Sequence, residues 1–417
     1  MHNSVASYSS AWCHEEEIDA ELNDWKKNGW LVECESFRQP TLPLMAVMQV
    51  SKDKIRPVLD YRELNETISS HTAGSLVCAE KLRNWRRMGR NLQIVDLRRA
   101  YLQIKVDQSL WQYQVVKHQG RSFYLTRLGF GLSIAPKIMR RILEHVLASD
   151  EAVKEGTDAY YDDIIVDTNK TTTNQLMSVL TRFGLEAKPP MAINGGRVLG
   201  LAVKETANGK LKWQRDGPLP QLPHQMTRRN LFAWTGQLLG HYPVGGWLRP
   251  SCSFIKRIAS GGDWDTEVEP QVAALARQLA ERIKSEDPVQ GIWEVPQTDE
   301  GRVWCDASSI AVGVAVEIGT EIVEDACWLR PKSDSNHINL SELEAANQAL
   351  KEALKWGLRK FELFTDSATV YKWLTAALSG AEPVRSQALS ELLIKRRINL
   401  FKQVVQEEGI TVSIRLI

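Results

Sequence analysis

Six carboxylates stand where they could do chemistry. Asp96 closes the apolar run of Leu92, Ile94 and Val95. Asp162 and Asp163 are adjacent in Tyr160-Tyr161-Asp162-Asp163, between Thr157-Asp158-Ala159 and Ile164-Ile165-Val166. Further on, Asp306 ends the run Val303-Trp304-Cys305, Glu342 follows Ser341, and Asp366 ends Phe361 to Thr365. Carboxylates gathered in threes bind hard divalent cations. Each also has a plainer reading. Two Asp in a turn are ordinarily just a turn, because Asp tolerates the backbone angles and solvates readily, and one acid at a strand end means little.

The surrounding residues predict the elements that would hold these acids. Both flanks of the Asp162-Asp163 pair read as short strands, with the pair in a two-residue hairpin turn. Leu102, Ile104 and Val106 alternate with Gln103, Lys105 and Asp107, which predicts a half-exposed strand; Tyr101 would point into the cleft beside Asp96 or into the core. Leu128 to Pro136 is a glycine-rich turn opening a helix with the apolar stripe Ile138, Met139, Ile142, Leu143 and Val146. Free N–H groups at such a turn favour anions. Ser341-Glu342-Leu343-Glu344 has the capping-box spacing, which places Glu342 in the first turn of a helix. Asp306, Glu342 and Asp366 would then converge from two strand ends and a helix start.

Cations accompany the acids. His14 to Asn28 reads as a helix, and Leu44 to Val50 as a strand followed, within Lys52 to Asn65, by a turn of charges leading into a second strand. Lys52 and Arg56 near that turn are either ordinary solvated charges or cations held over a polyphosphate. Lys81 to Arg99 carries seven Lys and Arg with Asp96 its one acid, which suits either a solvated face or phosphate-backbone contact. Pro218, Pro220 and Pro223 mark a linker. Helical stretches come next over 228–247 and 268–283, where Arg228, Arg229, Arg249, Lys256 and Arg257 make a second basic surface.

At 417 residues with a net charge of +1, the chain predicts two to four domains and no global attraction to nucleic acid. Its six cysteines have no C-x-x-C spacing and read as reduced thiols. No Walker A or G-x-G-x-x-G motif occurs, so ordinary mononucleotide-binding folds are disfavoured. No apolar run has the length of a membrane span, and an intracellular, soluble protein is expected.

The ordered motifs resemble the Pol polyprotein of LTR retrotransposons, gypsy-like or BEL-like. Asp96 at a strand end, the glycine-rich turn and Tyr160-x-Asp162-Asp163 resemble a reverse transcriptase palm. Arg56 to Asn65 resembles its fingers hairpin. Leu128 to Pro136 is similar to L-P-F-G-L-x-x-A-P, with Gly129 where Pro is usual, and Val198-Leu199-Gly200 resembles the primer-grip hairpin. The resemblance implies an α+β right-hand polymerase of fingers, palm and thumb, followed by an α/β RNase H-like domain. Expected boundaries are fingers and palm over 1–205, a thumb- or connection-like region over 206–298, and the RNase H-like domain over 299–417.

The activity implied by the resemblance is RNA-directed, and DNA-directed, DNA synthesis. Two Mg²⁺ ions, with Mn²⁺ tolerated, would lie about 3.5–4 Å apart on Asp96, Asp162 and Asp163. Lys52 and Arg56 would meet the dNTP triphosphate. Tyr101 would lie under the incoming sugar and exclude a 2′-hydroxyl, and Phe130 and Gly131 would line the same pocket. Asp306, Glu342 and Asp366 match three of the four RNase H metal ligands. The family's fourth acid lies beyond the last strand, which here is Thr411 to Leu416. Weak or absent RNase H activity is therefore expected of a chain ending at Ile417, and a piece of a longer polyprotein is expected. The implied partners are an RNA template, a DNA primer, RNA–DNA hybrid and dNTPs, without a membrane. The implied location is a cytoplasmic particle with access to the nucleus. The rival reading is an inactive or domesticated remnant that only binds nucleic acid. A telomerase-type enzyme is disfavoured because the RNase H-like pattern has no place there.

Overall fold

The computed structural model describes residues 8, 13–34, 41–49, 54–69, 77–331, 337–381 and 391–417. Lys52 lies outside them. The chain divides into two compact units: Met1–Ser75 with Asn91–Ala192, and Leu76–Arg90 with Ile193–Ile417.

In the first unit, helix Glu15–Lys27 buries Ile18, Leu22 and Trp25 at helical spacing. They share a core with Leu44 of β2 (Leu44–Gln49) and with Ile55 and Leu59 of β3 (Lys54–Leu59), which pair as an antiparallel hairpin. The strands β1 (Leu31–Glu33), β5 (Val115–His118) and β6 (Arg121–Leu125) form a second small sheet in the order β1-β6-β5. The acids are carried by β4 (Leu92–Asp96), β7 (Thr157–Tyr160), β8 (Asp163–Asp167) and β9 (Met191–Ala192), in a sheet ordered β7-β8-β4-β9. Val95, Ile164 and Val166 from this sheet pack with Met139, Leu143 and Val146 of helix Ala135–Leu147 and with Leu176, Val179 and Leu180 of helix Thr173–Arg182. That layer fixes the register, since a one-residue slip would turn the apolar set outward.

Two expectations are corrected here. The tight turn is Tyr161-Asp162, not Asp162-Asp163: Tyr160 pairs with Asp163, the first residue of β8. Leu102 to Val106 is not a strand. After Arg99, in the left-handed region at φ 44°, the chain makes a 3-10 turn over Ala100–Gln103. The Leu102 and Ile104 N–H groups bond back to the Arg99 and Tyr101 carbonyls, and pairing is limited to an isolated bridge of Lys105 with Arg127, where Val106 N–H donates to Thr126 and Leu128 N–H to Ile104. The alternation there is real, but local turn bonds satisfy the backbone first.

The second unit opens with an antiparallel sheet of β10 (Arg197–Val198), β11 (Leu201–Glu205), β12 (Leu211–Arg215) and β13 (Gln290–Ile292). Leu199 and Gly200, both at positive φ, make the turn between β10 and β11. Helices Arg228–Leu239, Leu248–Ile258 and Pro270–Ser285 lie between β12 and β13 in the chain. Then comes a five-stranded sheet built from β14 (Glu300–Ala307), β15 (Ala311–Ile318), β16 (Glu321–Leu329), β17 (Lys360–Thr365) and β18 (Thr411–Leu416), ordered β16-β15-β14-β17-β18. β14, β17 and β18 run parallel and the other pairs antiparallel. Helices Ile338–Lys355, Ala368–Leu378 and Glu391–Glu407 contribute Leu343, Leu350, Leu374 and Phe401 to one core with Val303, Val314 and Leu363 of the sheet.

Helix Val77–Met88 belongs to this second unit, which corrects the phosphate-contact reading of its arginines. Arg86 is 1% exposed and donates to the Val323 and Ile292 carbonyls at 2.7 and 3.0 Å. Arg83 pairs with Glu324 at 2.9 Å. Arg86 and Arg87 both lie over the Trp356 ring. A guanidinium buried among carbonyls, a carboxylate and an indole is a structural anchor. Farther along the same basic stretch, Arg90 pairs with Glu205, and in the first unit Arg99 pairs with Glu21 and Asp24. Among the described residues, no helix is long and apolar enough to cross a membrane.

Candidate active sites

The first site lies at one end of the β7-β8-β4-β9 sheet. Antiparallel pairing sets Asp96 directly opposite Asp163, and Leu97 N–H donates to the Asp162 carbonyl at 3.1 Å. The turn that joins β7 to β8 holds Tyr161 at φ 56°. A bulky residue in the left-handed region costs about 1–2 kcal/mol, and here the cost accompanies the presentation of Asp162 beside Asp163. The rings of Tyr160 and Tyr161 meet edge-on at 4.5 Å.

Crowding of like charge is visible in the acids. Asp163 is pushed up to about 6, first by burial and then by Asp162 and Asp96. Asp162 is raised too, mainly by burial and then by Asp96, while Lys188 and Arg56 pull it down. Arg56 on β3 is thus within electrostatic reach of Asp162. Lys188 is a residue that sequence reasoning missed. Its ammonium donates to Asp96 Oδ2, and its N–H donates to the Asp96 carbonyl at 2.8 Å. The one signal for it in the sequence is that it stands as the lone charge between Glu186 and Arg197.

Of the predicted nucleotide-side residues, Tyr101 lies within electrostatic reach of Asp162 and against Phe130. Tyr101 is half-buried and its ring lies 5.9 Å from that of Phe130. Burial, with help from Asp162 and Tyr161, pushes its hydroxyl up to about 12, so it stays a neutral hydrogen-bonding group. Phe130 is 64% exposed, a large apolar ring left facing solvent. Gly131 takes φ 104°, which favours glycine. Asn65 pins that turn with both ends of its amide, donating to the Gly131 carbonyl at 3.0 Å and accepting from Ser133 N–H at 2.7 Å. Gly129 has its own reason: a Cβ there would lie 1.7 Å from Tyr61 Oη. Tyr61 is buried and donates to Gln114 Oε1 at 2.9 Å, so the phenol fills the space a larger residue would need.

The second site lies in the five-stranded sheet. Asp306 is the penultimate residue of β14 and Asp366 follows β17, its parallel neighbour. Glu342 comes from the helix that packs on them. One expectation is corrected: Ser341 is not the cap. His337 caps this helix, its Nδ1 accepting from Asn339 N–H at 3.2 Å, and Ser341 is buried inside it. Glu342 therefore stands in the second turn, facing inward, at 6% exposure. Its Oε2 is buried with no hydrogen-bond partner. Among the described residues, Asp306, Glu342 and Asp366 are the one trio of potential metal ligands whose ligand atoms all lie within 4.8 Å of one another. Glu342 is raised to about 7 by burial, then by Asp366 and Asp306. A buried orphan oxygen beside two exposed carboxylates is an incomplete electrostatic arrangement, which a hard divalent cation would complete.

Comparison with known proteins gives the fold a precedent. Residues 227–285 match a family model described as a domain of unknown function, DUF7047. An uncharacterized protein of Caenorhabditis elegans is 27% identical over 154 residues, a match spanning 36% of this chain and 12% of that protein. Two solved structures of a foamy viral protease-reverse transcriptase bound to double-stranded DNA superpose with TM-scores of 0.73 and 0.71. They are 16% and 15% identical, covering 99% and 100% of this chain and 71% and 85% of theirs. A third, bound to RNA/DNA hybrid, has a TM-score of 0.68 at 15% identity and covers 99% of this chain and 55% of its own. The chain has the α+β fold of these reverse transcriptase structures.

Proposed function

We propose that this chain, a retroelement Pol region in sequence likeness and fold, is an RNA-directed and DNA-directed DNA polymerase whose acids bind Mg²⁺ at two separate centres. The observation that carries the reading is the first acid site. Asp96, Asp162 and Asp163 are set at one end of the sheet by strand register and one strained turn, spread wider than the second trio, with Arg56 and Tyr101 within electrostatic reach of Asp162 and Phe130 against Tyr101. Three hard, mutually repelling carboxylates fit a pair of divalent cations, which would activate the primer 3′ oxygen and neutralise the triphosphate. Arg56 supplies charge to the phosphates. Tyr101 and Phe130 form an apolar wall where a sugar would lie, which favours dNTPs over ribonucleotides.

Asp306, Glu342 and Asp366 would hold metal in the RNase H manner, with the RNA strand of a hybrid as substrate. The proposed organisation is fingers and palm over 1–205, a thumb- or connection-like region over 206–298 and the RNase H-like domain over 299–417, acting in a cytoplasmic retroelement particle. Extension of a DNA primer on an RNA template tests the reading. Loss of extension in Asp162→Asn supports it. Tight binding of hybrid without extension by the wild-type chain would establish a protein that only binds nucleic acid.

A further inference from the structure

A cavity of about 1010 Å³ runs along helix Ala135–Leu147 in the first unit, lined by residues outside the acid site. Helical spacing explains its character. Ile134, Ile138 and Ile142 recur every fourth residue as an apolar stripe, and Lys137, Arg141 and His145 form a parallel cationic stripe beside it. Lys105 and Arg127 supply cations from another wall, while Phe183 and Leu185 add apolar surface. Among the described residues, no carboxylate lines the cavity. The charges are also incompletely satisfied. Arg127 Nε is buried without a hydrogen-bond partner, and among the described residues no ion pair engages Lys105, Lys137 or Arg127; Arg141 pairs with Glu144. Phe183 is 41% exposed, its ring edge-on to His145 at 5.9 Å.

We propose that this groove docks an acidic amphipathic helix of a partner protein, with the apolar stripe of that helix on Ile134, Ile138 and Ile142 and its carboxylates on Lys137, Arg141, Lys105 and Arg127. Charge complementarity selects the acidic partner, and an elongated apolar stripe flanked by cations matches the apolar face and acidic flanks of an amphipathic helix. The volume stands at the top of the range for small-molecule pockets, about 300–1,000 Å³. Nucleic acid fits less well: phosphates would use the cations but leave the isoleucine stripe unused. The inference is independent of the polymerase reading.

The test is fluorescence anisotropy with a labelled, helix-stapled peptide carrying leucines on one face and glutamates on its flanks, added to the full chain. The controls are the same composition scrambled and the same peptide with lysines for glutamates. Saturable binding of the first peptide alone is expected, weakened about tenfold or more by the combined Lys137→Glu and Arg141→Glu substitutions. Both positions are exposed, so the variant should melt as the wild type does. Ile138→Asp probes the apolar floor, and if that variant is unfolded the charge pair alone decides. Equal binding of the scrambled peptide, or unchanged affinity in the charge-reversed variant, would overturn the proposal. So would a labelled single-stranded DNA whose binding those substitutions abolish while the peptide is unaffected.

Discussion

The two acid clusters differ in how the chain brings them together. In the first unit, two acids are sequence neighbours and the third is set opposite them by strand pairing, so one turn does most of the assembly. That turn holds Tyr161 in a left-handed conformation, and Lys188 already satisfies one oxygen of Asp96. In the second unit, the three acids come from two strands and a helix. They meet without a counter-cation among the described residues, leaving an orphan oxygen on buried Glu342. On the proposed polymerase reading, a lysine can stand beside a cluster that would open to successive substrates. A cluster assembled from three rigid elements would instead be already shaped for a metal. The difference predicts tighter metal binding in the absence of substrate at the second site than at the first.

The largest expected effect comes from removing the second cluster. Asp306→Asn combined with Glu342→Gln should abolish the stabilisation of the second unit by Mg²⁺ or Mn²⁺, a loss of about 100-fold or more in affinity. Calorimetry read against Asp162→Asn measures it. If Asp162→Asn removes the tight site instead, the ranking of the two clusters is reversed.

Next is the anchor that ties helix Val77–Met88 into the second unit. Arg86→Ala leaves two buried carbonyls without their donor and should cost about 3 kcal/mol. Hydrogen exchange should register the loss across β13, β16 and that helix while β4 and β8 keep their protection. A uniform loss over both units would contradict the division.

Protons should compete with metal at both clusters. Glu342 and Asp163 are raised to about 7 and about 6, so each is ionised above its value and protonated below it. Metal affinity at the second site should be full at pH 8 and fall as pH drops through about 7, by up to about tenfold per unit once below it. At the first site the fall should begin nearer pH 6. The sign for folding is opposite. Without metal, burying these charges favours the folded state at low pH, and that contribution is lost as pH rises from the unfolded carboxylate value through about 6 to 7. A metal affinity flat between pH 5 and 8 would remove the burial of these acids as its cause.

Smallest is the strained turn itself. Tyr161→Gly relieves the left-handed cost but loses the contact with Tyr160, so stability should change by no more than about 1 kcal/mol. Extension should suffer more than stability, if the turn serves to aim Asp162. Equal losses in both would make the turn purely structural.

Much of this was legible in the sequence because it rested on short-range pattern. The stripe of Ile18, Leu22 and Trp25 gave its helix, and apolar runs ending in Asp96, Asp306 and Asp366 gave the strand ends. What pattern could not supply was competition between local solutions. Leu102 to Val106 alternates like a strand, yet the Arg99 and Tyr101 carbonyls take the N–H groups of Leu102 and Ile104, leaving only an isolated bridge at Lys105. Ser341 has the capping-box spacing, yet His337 starts the helix a turn earlier. The arginines of helix Val77–Met88 read as a basic face because the groups that bury them, Glu324, Val323, Ile292 and Trp356, lie over two hundred residues away in the chain. Lys188 was missed for the same reason: its partner Asp96 is distant in sequence.

One measurement bears most directly on the assignment of separate roles to the two clusters. A labelled DNA primer annealed to an RNA template is incubated with dNTPs and Mg²⁺ and the wild-type chain, Asp162→Asn or Asp306→Asn. Extension by the wild type and by Asp306→Asn at similar rates, with a loss of about 10³-fold or more in Asp162→Asn, is the expected result. Extension that survives Asp162→Asn, or that Asp306→Asn abolishes equally, would contradict it.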